Sequence, residues 1–501
     1  MSSIEPRRPR MIEPSSLLPG RVRGTFEPAP AGETRVAVAL NLIDRGAEVL
    51  VEHGARLVGL FETGAPERSL RATFAFRGEL VSLRARLDGD RNVYASISLQ
   101  TPAALWPERE LFDRFGIVAL GHPDLRPLRN PDPDLIVRRV EGADVFAIPY
   151  GPVRSGVFEA IQFQIETGGE DIPALETRPF FKHRGLEERM SGMTPADAVY
   201  VAERIAGVAS VAHAVAFSQA VEAALDTEVP QGAQAWRVIH AELERVANHL
   251  DVAAKEAETP ALGVGQARFG ILKENVQRLR AALTGSRFGR GTVRPGGVRE
   301  EDRVDVAVLR QALDSFESDL RRDRDLFLGT ASMTDRLIGS GRLARETVER
   351  FGGLGPVARG SGISTDARFE RPYGAYARAG FEVVTRDEGD AMARVEVRFG
   401  EIAESLHLIR QMIDTLRREP SGQCAPLPDA DGGAAFGWSE APQGELVYWV
   451  EIEQGQLSRV RVASPSLRNW QLYSEAYAGD VLTDVAFIEH SFGLTPAGGD
   501  R

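Results

Sequence analysis

Residues 203–221 read Glu203-Arg-Ile-Ala-Gly-Val-Ala-Ser-Val-Ala-His213-Ala-Val-Ala-Phe-Ser-Gln-Ala-Val221, and from Ile205 onward the stretch contains no formally charged residue. Its commonest residue is alanine, and His213 stands among small and apolar neighbours. A membrane span needs about 20 strongly apolar residues, which this stretch does not supply. The stretch therefore predicts a helix that is buried in the core of a helical domain.

The segments around this stretch also predict helices. Apolar residues recur every three or four positions, the pattern of amphipathic helices, over residues 195–257, 265–282, 303–328 and 394–418. Strand patterns cover 444–453 and 456–463, and a β-hairpin is predicted around 150–156 and 158–166. The expected product is a large helix-bundle domain with peripheral β-hairpins.

The first part of the chain has a different pattern. Strand-like runs at 36–40, 70–76, 79–87 and 93–99 surround a helical pattern at 41–54. A turn-rich stretch at 127–143 includes Asn130-Pro-Asp-Pro-Asp134. We therefore predict an α+β protein with a small N-terminal α/β domain at 1–130, a linker at 131–145 and the large domain at 146–501.

Composition excludes several classes of function. The chain has 501 residues and a formal net charge of −12, which disfavours binding to nucleic acid. The single cysteine excludes an internal disulfide, an all-thiolate zinc site and an iron–sulfur cluster held by this chain alone. The first ten residues, ending in Pro-Arg-Arg-Pro-Arg10, are not followed by the apolar segment of a secretory signal, so we expect a cytoplasmic protein.

Two segments near the end of the first domain resemble a known family. These are Glu108-Arg-Glu-Leu-Phe-Asp-Arg-Phe-Gly116 and Gly121-His-Pro-Asp-Leu-Arg126. They resemble the C-type (30 kDa-type) subunit of complex I, the respiratory NADH–quinone oxidoreductase, and the matching domain of membrane-bound nickel–iron hydrogenases. The resemblance implies a docking role for this domain.

The rest of the chain resembles the D-type subunit of complex I and the large subunit of energy-converting hydrogenases of the formate hydrogenlyase type. The resembling motifs are Gly151-Pro152, Lys182-His-Arg-Gly-Leu-Glu187, 203–213, 242–250, Arg294-Pro-Gly-Gly-Val298, Gly355-Pro-Val-Ala-Arg-Gly-Ser-Gly-Ile363, Asp366, Arg368, Pro372-Tyr373, Tyr376, Glu440-Ala-Pro-Gln-Gly-Glu445 and Gly499-Asp-Arg501. The fusion of both parts in one chain is most similar to the hydrogenase-type large subunits.

The resemblance also shows what this sequence lacks. In nickel–iron hydrogenases two pairs of cysteines hold the metals, because soft thiolates stabilise low-valent nickel and bridge it to iron. The first pair matches Ala206 and Ala209, and the second matches Thr495 and Gly498 to within one residue. We therefore expect no nickel–iron centre and no other metal in this chain.

The quinone donors of the D-type complex I subunit are also replaced. Where that family places a histidine in the hairpin loop and a tyrosine on the following helix, this sequence has Arg154-Ser155 and Gly207. An arginine can hydrogen-bond a carbonyl oxygen or an anionic substrate. Arg154 is accordingly either a cavity residue or one partner of a salt bridge.

Five further residues are candidates for a functional role, four of them through the resemblance and His213 through its position in the apolar helix. His183 and Arg184 match a family pair whose arginine lies near the terminal iron–sulfur cluster of the neighbouring small subunit, and His249 matches a histidine near the same cluster. Glu187 and His213 are candidates for a proton relay. The alternatives are a helix N-terminal charge for Glu187, a satisfied core histidine for His213 and a hydrogen bond to the neighbouring helix for His249.

These observations predict a large peripheral-arm subunit that couples electron transfer to ion translocation, on the cytoplasmic side of the inner membrane. Its cavity would use quinone, another small oxidant or a sulfur compound, and it is lined by Arg154, His183, Arg359, Ala206, Ala209, Thr495 and Asp500. Expected partners are a small subunit with a four-iron four-sulfur cluster, complex I H-like and antiporter-like membrane subunits, and a ferredoxin-like subunit. The alternative is an inactive coupling module, so the sequence leaves open whether the chain takes part in catalysis.

Overall fold

In a computed structural model, the structure describes residues 24–30, 32–64, 67–87, 92–142, 144–154, 159–299, 306–418, 422–428 and 432–501. The N-terminal ten residues, the middle of the predicted hairpin at 155–158 and the predicted helix start at 303–305 lie outside these ranges. The chain divides into two compact units, Met1–Leu128 and Arg129–Arg501.

The first unit contains a sheet of five strands with the order β1-β2-β5-β4-β3. Strands β2 and β5 are parallel, whereas the other neighbours are antiparallel. A second, parallel pair is formed by β6 and β7. The elements are β1 (Gly24–Glu27), β2 (Glu33–Val38), α1 (Ile43–Glu52), β3 (Arg56–Thr63), β4 (Ser69–Phe76), β5 (Glu79–Arg86), β6 (Val93–Ala95), α2 (Leu105–Phe115) and β7 (Val118–Leu120).

Helix α1 covers the sheet because its apolar residues fall on one face. Ile43, Ala47 and Leu50 are buried and join the core formed by the strands. Helix α2 ends at Phe115, where Gly116 adopts a left-handed conformation with a φ of 65°. This unit is therefore the small α/β domain that the strand-like runs predict.

The second unit combines a helix bundle with small sheets, β8–β10, β11–β12 and β13–β15 within the described ranges. Its helices are α3 (Leu186–Met190), α4 (Pro195–Ala202), α5 (Ser210–Ala224), α6 (Gln231–Glu258), α7 (Gly263–Thr284), α8 (Val306–Leu328), α9 (Ala331–Leu337), α10 (Arg345–Phe351), α11 (Gly355–Arg359), α12 (Ala367–Glu370), α13 (Ala391–Arg418), α14 (Pro465–Tyr473) and α15 (Val485–Phe492). Its strands are β8 (Phe146–Tyr150), β9 (Gln162–Thr167), β10 (Ala174–Arg178), β11 (Val293–Arg294), β12 (Gly297–Val298), β13 (Ala434–Ala441), β14 (Gly444–Glu453) and β15 (Gln456–Ala463).

Helix α5 lies at the centre of this unit, as the uncharged stretch predicts. It packs against β13 and β14, and α6 packs against α7 and α13. Twelve residues of α5 are buried, including His213 and Glu222. The close approach of α5 to β13 requires Gly437, since a Cβ there would stand 2.3 Å from the Ala216 carbonyl oxygen. The mixture of helices and strands confirms the α+β fold class.

The linker residues run beside strand β9. The backbone N–H groups of Arg139 and Val140 donate to the Glu166 carboxylate at 2.8 and 2.9 Å, and that of Val137 donates to Gln164 at 3.3 Å. Two side chains of one strand thus satisfy three backbone donors of a segment without regular structure.

No single helix within the described ranges is long and apolar enough to cross a membrane. In the same part of the chain, α4 and the following segment Gly207–Ala224 pass the test together, as a pair bent by 114°.

Candidate functional site

The candidate site lies where the segment before α3 meets two distant parts of the chain. The Arg184 guanidinium donates to the carbonyl oxygens of Ile205 and Ala497 at 2.6 Å each, to that of Arg204 at 3.0 Å and to that of Asp500 at 3.1 Å. We call this set of contacts the Arg184 junction. It ties residues 204–205 to residues 497–500, although Arg184 itself is exposed on the surface of this chain.

The junction lies beside the four positions that the resemblance assigns to metal ligands. Ala206 and Ala209 are buried at the 3₁₀ turn that precedes α5. The Thr495 hydroxyl donates to Glu159 at 2.8 Å and accepts from the Ala497 N–H at 3.2 Å. At Gly498 a Cβ would stand 2.5 Å from Ser464 Oγ. Two methyl groups, an engaged hydroxyl and a glycine do not fit a centre that needs four thiolates.

Among the described residues, no group of three or more His, Cys, Asp or Glu side chains is placed to hold a metal ion. The single cysteine, Cys424, is half-buried, and its Sγ lies 3.5 Å from the Ala425 carbonyl oxygen. His240 and Glu244, which share one face of α6, have separate surroundings. His240 stacks on Trp236 with ring centroids 5.6 Å apart, whereas Glu244 accepts from the N–H groups of two residues of α5.

Glu187 is held in place on the inner side of the junction. Its Oε1 accepts from Arg501 Nε at 2.7 Å and from the Val462 N–H at 3.0 Å. Both Glu187 and Arg501 are buried. The Glu187 carboxylate therefore takes part in an ion pair, and it also lies in the first turn of the short helix α3.

At the junction, the fold shifts the pKa of the Asp500 carboxyl. Burial raises the pKa of Asp500 to about 7, and Glu159 adds to the rise, although Arg184 opposes it. Its Oδ1 has no hydrogen-bond partner within the described part of the chain. This carboxyl can gain or lose a proton near neutral pH.

His213 lies deeper in the core on α5. Its Nδ1 is 2.7 Å from the Tyr448 hydroxyl, and the two rings meet edge to face. Burial lowers the pKa of His213 to about 3, with a smaller effect from Arg184, so the imidazole is neutral at pH 7. The pKa of Tyr448 is raised, chiefly by burial and then by the charge of Glu187. Tyr448 thus contacts His213 directly, whereas Glu187 affects it through its charge.

Arg359 belongs to a second buried cluster, formed by α6, α11, α13 and β13. Its guanidinium donates to Glu401 at 2.7 Å, Glu440 at 2.9 Å and Asp366 at 3.2 Å. His249 joins this cluster through a 2.8 Å contact between its Nε2 and Glu401. Burial lowers the pKa of His249 to about 4 against the opposing effect of Glu401. Arg359 and His249 therefore have salt-bridge and hydrogen-bond partners inside the core.

The other two predicted site residues lie near carboxylates, and one of them, Arg154, forms an ion pair. Arg154 donates two hydrogen bonds to Glu489, at 2.8 and 2.7 Å, and its guanidinium lies 4.8 and 4.7 Å from the ring centroids of Tyr150 and Phe163. His183 is half-buried, with its Nε2 3.8 Å from Glu188 Oε2. Of the predicted residues, the junction brings Arg184 and Asp500 into direct contact. Ala206 follows Ile205 in the chain, and Thr495 lies two residues before Ala497, and the carbonyl oxygens of Ile205 and Ala497 both accept from Arg184.

Two carboxyls that the sequence does not single out have shifted protonation. Burial raises the pKa of Glu203 to about 7, and its Oε1 accepts from the Gly291 N–H at 2.7 Å. Burial and the neighbouring Asp366 also raise the pKa of Glu440 to about 7. Glu203 begins the segment 203–213 and Glu440 begins the segment 440–445, and both segments resemble the family. The sequence of such a motif does not show whether its carboxyl is buried, so these shifts in pKa could not be predicted.

Comparisons with known proteins agree with these features. Three family models match: the 30 Kd subunit of respiratory-chain NADH dehydrogenase at residues 38–136, nickel-dependent hydrogenase at 184–251, and the 49 Kd subunit of respiratory-chain NADH dehydrogenase at 269–430. The matches follow one another along both units of the chain.

Similar relatives include formate hydrogenlyase subunit 5 of Escherichia coli, 27% identical over 90% of this chain and 86% of the relative. The carbon monoxide-induced hydrogenase of Rhodospirillum rubrum is 30% identical over 69% of this chain and 96% of the relative. A solved structure of the membrane-bound sulfane sulfur reductase, an archaeal respiratory membrane complex, superimposes with a TM-score of 0.67, at 25% identity over 72% of this chain and 99% of that one. The chain therefore belongs to the family of complex I and nickel-dependent hydrogenase large subunits, with a complex I 30 Kd-type domain fused before it and without the nickel-ligand cysteines.

Proposed function

We propose that this chain is the large peripheral-arm subunit of a membrane-bound, multisubunit oxidoreductase that couples electron transfer to ion translocation. The observation that best supports this role is the Arg184 junction. It holds together the two segments that the resemblance assigns to the metal ligands, and the exposed Arg184 lies on the surface of the chain. Without thiolates at the four positions, the electron acceptor would be quinone or another small oxidant, not protons.

The proposal assigns the iron–sulfur chemistry to a partner. A small subunit with a four-iron four-sulfur cluster would pack near Arg184, where a cation stabilises the reduced cluster. His249 would influence that cluster only through its contacts with Glu401 and Arg398, because it is buried. Complex I H-like, antiporter-like and ferredoxin-like partners complete the proposed assembly, on the cytoplasmic side of the inner membrane.

Within this proposal Glu187 and His213 relay protons through Tyr448. The Tyr448 hydroxyl contacts His213 Nδ1 at 2.7 Å, and the charge of Glu187 contributes to the raised pKa of Tyr448. Asp500, with a pKa of about 7, would exchange protons at the junction. A sulfur compound is a further candidate oxidant, supported by the similarity to the sulfane sulfur reductase.

An inactive coupling module is the second candidate function. It is favoured by the packing around the former ligand positions, where Thr495 is hydrogen-bonded to Glu159 and a Cβ on Gly498 would meet Ser464. In that case the chain would transmit conformational change to membrane subunits without binding a redox substrate.

The test is to purify the complex from gently solubilised native membranes with a tag on this chain. Partner subunits are identified by mass spectrometry, iron and nickel are quantified, and quinone and polysulfide reduction are assayed on the same sample. The proposal expects a small iron–sulfur subunit, iron without nickel, and reduction of at least one acceptor. Recovery of the partners with iron but no turnover would favour the coupling module, and recovery of the chain alone without iron would contradict both roles.

A matched pair of variants tests the Arg184 junction in that assembly. Arg184→Lys keeps the charge but cannot donate to four carbonyl oxygens, so we expect it to reduce recovery of the small subunit and the turnover. Arg189→Lys, at an exposed position of α3, is the control. Equal recovery and turnover in the two variants would contradict the role given to Arg184.

A further inference from the structure

A cavity of about 290 Å³ lies between α5, α6 and the segment around residues 373–376. Its apolar lining comes from Val215 on α5 and from Val238 and Ala241 on α6. None of the residues of the Arg184 junction lines this cavity. A ligand here would therefore occupy a site separate from the one proposed for electron transfer.

Two tyrosines form an aromatic wall of this cavity. The rings of Tyr373 and Tyr376 have centroids 4.9 Å apart and planes inclined by 65°. The Tyr376 hydroxyl donates to Glu242 at 2.5 Å, and that of Tyr373 accepts from the Glu440 N–H at 2.9 Å. Both hydroxyls are thus engaged with the protein interior, and the rings remain to contact an apolar or cationic group.

Among the described residues, the one arginine that lines the cavity is already paired. Arg237 donates to Glu222 from Nη1 at 3.0 Å and from Nη2 at 2.5 Å, and Nε donates to the Gly297 carbonyl oxygen at 3.2 Å. Glu222 also accepts from the Gly296 N–H at 2.7 Å. This pair is neutral overall, and its donors are directed to protein oxygens, which disfavours an anion or a quinone carbonyl as the ligand.

The remaining polar groups at the cavity are the Glu228 carboxylate and three side chains that can both donate and accept, namely Gln219, Thr227 and Gln234. Glu228 is exposed and has no salt-bridge partner within the described part of the chain. Thr227 Oγ1 is buried and likewise has no hydrogen-bond partner among the residues that the structure describes. Gln234 donates its Nε2 to the Val229 carbonyl oxygen at 2.9 Å, which leaves its Oε1 as an acceptor. The lining therefore has one negative charge without a salt-bridge partner among the described residues, and its one arginine is engaged by Glu222.

We propose that this cavity binds a small organic ammonium compound. Its apolar body would lie against Val215, Val238 and the two tyrosine rings, and its ammonium group would donate to Glu228 and Thr227. An ammonium supplies a positive charge, which matches the unpaired carboxylate and the electron-rich faces of the rings, and its N–H groups can donate to the oxygens of the lining. The unpaired charge of Glu228 is the observation that favours a cation over a neutral ligand, and the buried, unpaired Thr227 hydroxyl shows in addition that a polar partner is missing.

The experiment compares, on the purified full-length chain, three probes that share a phenylethyl group and differ in its terminal polar group. These are 2-phenylethylamine, 2-phenylethanol and 3-phenylpropanoate, with binding measured by calorimetry and by ligand-detected NMR. We expect the amine to bind roughly fivefold more tightly than the alcohol, the upper range for a solvent-exposed ion pair, and the carboxylate to bind most weakly. Equal binding of amine and alcohol, or no binding of the amine, would overturn the proposal.

Variants locate the site. Glu228→Gln should reduce the preference for the amine, and Thr227→Val should weaken binding of the amine and the alcohol alike. Glu475→Gln, which removes an exposed carboxylate that does not line the cavity, should leave the preference unchanged. Ala241→Phe should fill the cavity and abolish binding of all three probes. Amine binding that persists in Ala241→Phe, with the fold retained by circular dichroism, would place the probe elsewhere and overturn the assignment.

Discussion

The Arg501 side chain donates from Nε to Glu187 Oε1 at 2.7 Å, joining two buried residues that are 314 positions apart. Glu187 is a proton-relay candidate, yet in the structure it also fixes the segment that contains Asp500. A proton relay through Glu187 would therefore neutralise the carboxylate, and so weaken this ion pair, each time Glu187 carries a proton.

Glu187→Gln should destabilise the second unit, because Arg501 would lose the charge that compensates it in the interior. Removing one partner of a buried ion pair costs about 3–5 kcal/mol. Urea unfolding of the variant should show this loss, and the double variant Glu187→Gln/Arg501→Gln should lose less than the sum of the single changes. Glu188→Gln, at an exposed position of α3, is the control. A cost for Glu187→Gln no larger than that of Glu188→Gln would contradict the ion pair.

The raised pKa of Asp500 predicts that the stability of the fold depends on pH. The pKa of Asp500 is 3.8 in the unfolded reference and about 7 in the fold, because burial disfavours the charged form. Between these values the unfolded chain binds fewer protons than the folded chain, so the contribution of Asp500 to stability falls as pH rises through this range and is constant above it. Asp500→Asn should reduce this decline in melting temperature, measured by calorimetry across that pH range. An unchanged slope in the variant would show that the pKa of Asp500 is not raised.

The part of the fold that was predictable from sequence depends on local patterns. The predicted strands 444–453 and 456–463 match β14 and β15, because alternating residues flank a two-residue turn in which Gln454 and Gly455 have φ values of 51° and 72°. The continuous helical pattern at 195–257 is interrupted in the structure after α4 and again before α6, near Gly207 and Pro230. Periodicity alone does not locate these breaks, although both residues are poor helix formers in a helix interior.

The candidate site was less predictable, since its contacts join distant segments. Two roles for Arg154 are open from sequence, and only the fold shows Glu489, 335 positions away, accepting two hydrogen bonds from it. Likewise, the resemblance groups Arg359 with the cavity, but three carboxylates from other elements surround it in the core. Spacing along the chain does not encode such partners, whereas the resemblance does indicate which segments meet at the Arg184 junction.

Arg154 should contribute to the stability of the fold, mainly through the geometry of its ion pair with Glu489. Its guanidinium forms two hydrogen bonds with Glu489 and contacts two aromatic rings, and an ammonium group cannot reproduce both. We expect Arg154→Lys to lower the free energy of unfolding by about 1–2 kcal/mol. Glu489→Gln should cost a similar amount, and the double variant should cost less than the sum of the two. Full stability of Arg154→Lys combined with lost acceptor reduction would instead make Arg154 a substrate-binding residue.

Gly498 tests whether the former ligand positions are closed by packing. A Cβ at this position would stand 2.5 Å from Ser464 Oγ and 3.6 Å from Ser464 Cβ, so the hydroxyl is the nearer obstacle. Gly498→Ala should therefore destabilise the chain by about 1–3 kcal/mol, the usual cost of overpacking. Ser464→Ala removes the obstructing oxygen and should restore most of that loss in the double variant, as measured by urea unfolding. A Gly498→Ala variant as stable as the parent chain would mean that space remains at this position, and reintroduced cysteines at 206, 209, 495 and 498 would then be worth testing for nickel binding.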